Sequence, residues 1–533
     1  MNANKNRVTR LEFSSSPGTP GEGWGGGCAE RHLVGRTFLS AIESASGGIL
    51  ATRADSNPFG RDKNVPPLTD SKQTRMSAPP PTRTPSLTLP RSTGGGNWSG
   101  RSGGINPALH ILLIVVLAIV VGTQASAAEK DLPITGSHFA GLDPFDKLMT
   151  DFVKDHDVPG ASLAVTRNGH LIYGRGFGFA DREHHQAVEP RSLFRIASIS
   201  KPFTSAAIMQ LVEKGKLRLD DHPFEMLHLD PHLERGAKED PRLNKITILH
   251  LLQHTGGFDR DKSFDPMFRP IVIARALGVN PPAGQVPIIR YMMGRELDFD
   301  PGTRESYSNF GYCVLGRVVE HVSGESYEKY VREHMLAPLD IHSMRLGHTL
   351  PKDRAPGEVI YYDEKNRAGG SVFAAHMGDP VPAPYGAWNL EAMDSHGGWI
   401  ASAVDLVRFA SSFDDPAHSR ILSAKSIETT FARPLGAVGE SGDGKPKAVY
   451  YGCGWQVRHV GNGRINTWHN GALDGTSTLL VRRADGLCWA VLFNTRKDQH
   501  DKELSGEIDG LVHKAADQVK QWPQGDLFDK YLN

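Results

Sequence analysis

Arg195-Ile196-Ala197-Ser198-Ile199-Ser200-Lys201-Pro202-Phe203-Thr204 sets a serine and a lysine three residues apart where a helix begins. Residues at i and i+3 share a helix face about 5–6 Å apart, so the Lys201 amine can reach the Ser198 hydroxyl and take its proton. Pro202 is tolerated only within a first turn, which puts Ser198 at the helix N-terminus. Backbone N–H groups without intrahelical partners, and the positive end of the helix dipole, favour an anion forming beside the serine there. Ser-x-x-Lys alone is a short pattern that arises by chance in a chain of 533 residues, so its weight depends on what accompanies it.

Formal charge is balanced at 60 basic and 60 acidic residues. Residues 1–106 hold 13 Lys and Arg against 7 Asp and Glu, which leaves the body of the chain at 47 against 53. A mildly acidic body lacks the concentrated basic footprint of a nucleic-acid partner. Cys28, Cys313, Cys453 and Cys488 are too widely spaced for a disulfide framework or a Cys-x-x-Cys metal site, and no metal or other cofactor is expected. His184-His185 has no further ligands at workable spacing and reads as a solvated loop.

Residues 1–106 are rich in Gly, Pro, Ser, Thr and Arg and show no apolar period, the composition of a disordered segment. Ala108 to Gly122 is almost wholly aliphatic and is followed by Ala125-Ser126-Ala127, so 107–127 reads as a secretory signal. The alternative is an uncleaved membrane anchor at 108–122, although that core is shorter than the roughly 18 residues of a spanning helix. Signals stand at a chain's start, and a chain beginning at Met76 would carry Arg83, Arg91 and Arg101 and no acid before the apolar core. The expected location is therefore exported, periplasmic or secreted.

From Leu132 the composition is that of a globular domain, expected to span 132–520. Asp143 to Asp155 has apolar residues at helical spacing, with Asp143-Pro144 as cap and first helical position. Asn168-Gly169 supplies positive φ between two strands, Ala161 to Thr166 and His170 to Tyr173. Gly174, Gly176 and Gly178 continue that second strand and do not form a dinucleotide loop, since no helix follows. Helices are expected after Lys201 as far as Gly215, over Ile246 to Leu252, and over Cys313 to Val322. Strands return at Ala448 to Val457, Ile465 to Trp468, Thr476 to Val481 and Cys488 to Asn494, before a closing helix at Glu503 to Val519.

Two further groups give Ser198 and Lys201 their company. Tyr307-Ser308-Asn309 supplies a phenol and a carboxamide, and His469-Asn470-Gly471-Ala472 ends a strand with a glycine that permits close backbone approach. Acyl transfer by serine needs a nucleophile, a base, a proton donor for the leaving group and an oxyanion hole. The three groups together can supply all four.

In this the chain resembles the serine β-lactamase and penicillin-binding-protein superfamily, whose first motif is Ser-x-x-Lys. It is most similar to the class C β-lactamase-like branch of D-aminopeptidases, D,D-peptidases and esterases. There the second motif is Tyr-x-Asn and the third is Lys or His, any residue, then Gly. The likeness runs from Phe145 to Val519. It takes in Ile246 to Gly257, Gly397-Gly398-Trp399-Ile400-Ala401-Ser402 and Tyr451-Gly452-Cys453-Gly454-Trp455. The resemblance implies an α+β fold (an α/β sandwich): an antiparallel sheet built from both ends of the domain, flanked by helices, with a mostly helical subdomain inserted at about 203–390. It implies Ser198 as nucleophile and Lys201 with Tyr307 as base and acid, the Tyr307 pKa being lowered by the Lys201 cation. Asn309 would hold Lys201 or the substrate; His469, Asn470 and Gly471 would bind substrate; and the Ser198 and Ala472 N–H groups would form the oxyanion hole. Two other His-x-Gly triplets, at His254 and His396, are set aside, because one precedes the tyrosine motif and the other lies in a segment that resembles a structural part of the branch.

His469 stands where lactamases and many D,D-peptidases carry a lysine, and a histidine is mostly neutral at pH 7 where lysine is a permanent cation. This directs the expected substrate towards small ester, amide or peptide molecules. The alternatives are a D,D-peptidase, a β-lactamase proper, or a non-catalytic muropeptide-binding module of the same fold. Oligomeric state is left open. Pro266 to Arg290 and Glu358 to Pro384 are the loops expected to shape the pocket.

Overall fold

Asn168 and Gly169 both adopt positive φ, 50° and 80°, and so close the hairpin between β2 (Gly160–Arg167) and β3 (His170–Asp181). The computed structural model describes residues 132–531; the low-complexity segment and the signal or anchor read above lie outside the described residues. Next to β2 lies a strand from the far end of the chain, β14 (Leu487–Phe493), antiparallel and in register with Leu163 opposite Val491. The remaining strands follow outward: β13 (Thr476–Arg482), β12 (Ile465–Leu473), β11 (Gln456–His459) and β10 (Val449–Tyr451). On the other side β1 (Ile134–Gly136) and the short β4 (Gln186–Ala187) pair with β3. The sheet is thus antiparallel and built from both ends of the domain.

Its central strands are buried on both faces, and alternate side chains enter two separate cores. Leu163, Val165, Trp489 and Val491 meet α1 (Asp143–Asp155) and the last helix, through Phe145, Met149, Phe152, Ile508 and Val512. Ala164, Ala490 and Leu492 face the other way, into a core with Phe203, Leu406 and Phe409. The Phe203 and Phe409 rings stack at 3.9 Å and seat α2 (Ser200–Glu213) against the helix Ala403–Ser411. Each such fully buried side chain contributes about 1.5–3 kcal/mol. The helix that carries Lys201 is therefore anchored by core packing.

A second sheet leads into Ser198. Its strands are β5 (Phe194–Arg195), β6 (Arg345–Leu346) and β9 (Trp399–Ala401), and a separate hairpin joins β7 (Ala368–Gly370) to β8 (Pro380–Pro382). Between β5 and β9 lie mostly short helices, including α3 (Ile248–Leu252) and α4 (Asn309–Ser323).

Several expectations are corrected. Ala448 to Val457 forms two strands, because Gly454 at φ 81° turns the chain between them. A Cβ there would lie 2.8 Å from the Ser205 Cβ, so this turn also packs directly on α2. β12 does not stop at Trp468; it runs through His469 to Leu473, so the third motif lies within a strand. The first helix takes Leu142 as its cap, with Asp143 already in the helix. Pro266 to Arg290 is largely helical and only Phe268 from it lines the cleft described below, while no residue of Glu358 to Pro384 does.

Candidate active site

β5 leads directly into the turn that carries Ser198. Ala197 has φ 47°, a rare conformation for a residue with a Cβ, and Ala197–Ile199 makes a single 3₁₀ turn before α2 begins at Ser200. Strain of this kind is held only where surrounding structure over-determines it. Here Thr476 Oγ1 donates to the Arg195 carbonyl at 2.8 Å and Thr478 Oγ1 to the Ile196 carbonyl at 3.0 Å, which ties β13 to the turn. Ser198 is left half-buried, facing a cleft of about 180 Å³.

Lys201 is fully buried behind it. Its Nζ lies 3.1 Å from Ser198 Oγ, 2.8 Å from Asn309 Oδ1 and 2.9 Å from the His396 carbonyl. Two of these partners can only accept, whereas the serine hydroxyl can donate. Nζ donates to the Asn309 and His396 oxygens, and once the amine is neutral its lone pair can accept from the Ser198 O–H. Burial, helped by the Arg260 cation, pushes the Lys201 pKa well below its ordinary 10.5, and Asp265 opposes the shift. Asn309 cannot flip its amide freely, since its Nδ2 donates to Asp265 Oδ2 at 2.7 Å.

Tyr307 departs from expectation. It is half-buried and is not among the residues lining the cleft; its ring packs against the His254 ring at 4.4 Å and beneath the Lys201 Nζ at 4.7 Å. Burial pushes its pKa up, beyond what a Ser198 hydrogen bond and the Arg260 charge recover. The expected lowering by a Lys201 cation fails because desolvation of the buried phenol outweighs the charges around it. The two shifts run in opposite directions, the amine pushed down and the phenol up, each towards its uncharged form. Ser308 places Tyr307 by capping α4, accepting from the Gly311 N–H at 3.2 Å, while its own N–H donates to His254 Nδ1 at 3.2 Å.

The third motif is brought to the site unevenly. Ala472 lines the cleft with Ser198, Asn309 and His396. Asn470 is exposed on the strand. His469 is buried and does not line the cleft: its Nδ1–H donates to the Asn470 carbonyl at 2.6 Å, so Nε2 accepts from the Tyr451 hydroxyl at 3.0 Å. Burial, with Lys201 nearby, holds its pKa down at about 3, so it carries no charge.

Gly471 is where β12 crosses the turn that carries Ser198. A Cβ would meet the Ile196 carbonyl at 2.3 Å and Thr478 Oγ1 at 2.4 Å, and lie 3.1 Å from the Ser198 N. Neither Ile196 nor the strand can withdraw without moving Ser198 against Ala472. Gly471→Ala is expected to lower kcat/KM for an activated ester on the order of 10²-fold, as displacement of an aligned group by about 1 Å does. Ester kinetics alongside a thermal melt check this; full activity would show that the crossing has slack.

Sequence reasoning missed Arg260, Asp265 and Arg496, and set aside His254 and His396. His396 was set aside as a structural His-x-Gly triplet, yet its carbonyl holds Lys201 and its side chain borders the cleft. Arg260 and Arg496 also line the cleft. No short pattern marks them, because loop packing alone brings them to the site.

A family model described as Beta-lactamase matches residues 145–512. Penicillin-binding protein 4 of Amycolatopsis lactamdurans is 30% identical over 396 residues, covering 71% of this chain and 92% of that protein. Protein flp of Staphylococcus aureus strain MW2 is 26% identical over 335 residues, 62% of this chain and 58% of its own length. Among solved structures, the D-amino acid amidase from Ochrobactrum anthropi SV3 complexed with L-phenylalanine amide aligns with a TM-score of 0.54 at 19% identity. It covers 72% of this chain and 99% of that one, a likeness of fold.

Proposed function

The chain belongs to the Beta-lactamase family, and from that premise we propose that it is a serine hydrolase acting through an acyl-enzyme on ester or amide substrates. The observation that carries this reading is the Lys201 amine, buried, held by two obligate acceptors and 3.1 Å from Ser198 Oγ, where in its neutral form it can take the serine proton. Ser198 Oγ attacks the substrate carbonyl while its proton passes to Lys201. The oxyanion is held by the N–H groups of Ser198 and Ala472, a contribution of about 2.7–4 kcal/mol per donor. As the carbonyl reforms and the leaving group departs, Tyr307 gives it a proton and recovers one from Lys201. Water then attacks the acyl-serine ester with its proton going to Lys201, the bond to Ser198 Oγ breaks, and Lys201 returns that proton to the serine as the acid leaves. Asn309 and the His396 carbonyl hold Lys201 throughout.

Two observations bear on the substrate. His469 is neutral and turned to Tyr451, so it cannot receive a carboxylate as a lysine would, which favours esters and amides of the kind the structurally similar D-amino acid amidase is named for. The identity to a penicillin-binding protein supports a D,D-peptidase or β-lactamase as the second reading. We place the enzyme outside the cytoplasm on the strength of the segment 107–127 in the sequence.

Rapid mixing with 4-nitrophenyl acetate, followed by peptide mass spectrometry of the quenched protein, tests the mechanism. A burst matching the enzyme concentration and an acetyl group on Ser198 are expected. An acetyl group elsewhere with turnover retained would remove Ser198 as nucleophile. No burst and no turnover with esters, D-amino-acid amides or a chromogenic cephalosporin would leave the non-catalytic muropeptide-binding module.

A further inference from the structure

A substrate carboxylate needs a cation with free donors, and the cleft's cations differ in this respect. Lys201 is buried and fully occupied. Arg496 is held by Glu503, whose Oε2 accepts from its Nε at 3.2 Å, and lies 3.6 Å from Asp474. Arg260 is different. Among the described residues, the only carboxylate within 4.0 Å of it is that of Asp261, at 3.9 Å and 92% exposed, and its side chain is 41% exposed with no hydrogen bond. It lines the cleft and is not adrift: the guanidinium lies over the Tyr307 ring, 4.8 Å from its centroid. A guanidinium set by its face on an aromatic ring keeps its N–H edge available, and that edge matches a carboxylate bidentately.

We propose that Arg260 is the specificity-determining residue of the cleft, receiving a carboxylate carried on the leaving-group side of the scissile ester or amide. The side follows from Tyr307. Arg260 stacks on the phenol that, in the function proposed above, protonates the departing group, so an anion in its fork belongs to that group. The inference rests on that reading of the site. It also explains how a chain with a neutral histidine in its third motif can still select an anionic substrate: the charge comes from the loop after α3.

The test uses the full chain and matched esters. 3-Carboxyphenyl acetate carries the anion on the leaving group, 3-(methoxycarbonyl)phenyl acetate is its neutral counterpart, and phenyl hemisuccinate carries the anion on the acyl side. Wild type is expected to favour the first over the second by about 10–100-fold in kcat/KM, the range of one charge-assisted pair, and to show no such preference for the third. In Arg260→Gln the ratio of the first to the second should fall towards one. The neutral ester also slows, because the variant lets the Lys201 pKa rise, and the ratio cancels that loss. 3-Hydroxybenzoate should inhibit wild type at lower concentration than its methyl ester and lose that advantage in Arg260→Gln. A ratio near one in wild type, or one unchanged in the variant, overturns the assignment while the hydrolase reading stands. A preference for the acyl-side anion overturns the placement. Absence of turnover with all three esters overturns the hydrolase reading and this inference with it.

Discussion

Replacing Lys201 by methionine is expected to lower kcat/KM for an activated ester on the order of 10³–10⁴-fold, in the upper range of what a positioned general base contributes. Methionine fills the same buried volume and has no basic lone pair to set before Ser198. The wild-type rate should rise with pH through the depressed Lys201 pKa and then level, since only the neutral amine can take the serine proton. The variant should lose that limb. Arginine at the same position should be as inactive as methionine, because it stays charged. Stability carries the same signature. Lys201 has a folded pKa below its unfolded value of 10.5, so between the two the unfolded chain binds the extra proton, and stability rises with pH across that window. Urea unfolding at pH 7, 8 and 9 should show a positive slope in wild type that is smaller in Lys201→Met. An unchanged pH–rate profile in the variant would remove Lys201 from the chemistry.

What the sequence revealed, and what it hid, follows the range of the interactions involved. Asn168-Gly169 is a local instruction, and the hairpin it encodes is the one observed. The Gly452-Cys453-Gly454-Trp455 turn is not local in the same sense. Its apolar flanks read as one continuous strand, and the reason for Gly454 is the approach of α2, far away in sequence. The same holds in the site. Ser198, Lys201, Tyr307 and Asn309 were legible because each motif carries its chemistry in residue type, and the structure does gather them. The pKa shifts were not legible, since they depend on burial: the phenol expected to be lowered is raised, and the amine beside it is lowered. Nor could His469 be placed, because its orientation is set by Tyr451, a residue on another strand. Arg260 has no pattern of its own, and its meaning is in its position over Tyr307.

Asp394→Ala is expected to destabilise the fold by about 3 kcal/mol, the low end for breaking a buried ion pair. The Arg317 guanidinium donates to Asp394 Oδ2 at 2.6 Å, with side chains 9% and 7% exposed. Gln285 Nε2 shares that oxygen at 3.1 Å, and the Ser395 N–H donates to Oδ1 at 2.6 Å. Removing the carboxylate strands a buried cation whose remaining partner is Glu320 at 2.9 Å, and that partner is why the low end is expected. The position also bears on catalysis. Asp394 opens the short helix Asp394–Gly397, in which Ser395 Oγ donates to the Tyr312 carbonyl at 2.8 Å and the His396 carbonyl accepts from Lys201. Chemical denaturation of Asp394→Ala, and of Asp394→Leu combined with Arg317→Met, separates the two roles. If the unpaired charge is what destabilises, the apolar pair regains most of the lost stability. If the ion pair also aims the His396 carbonyl, activity stays low in the restabilised double variant. A single variant less than about 1 kcal/mol below wild type would show that Glu320 alone can balance Arg317, and that α4 needs no carboxylate from the helix beneath Lys201.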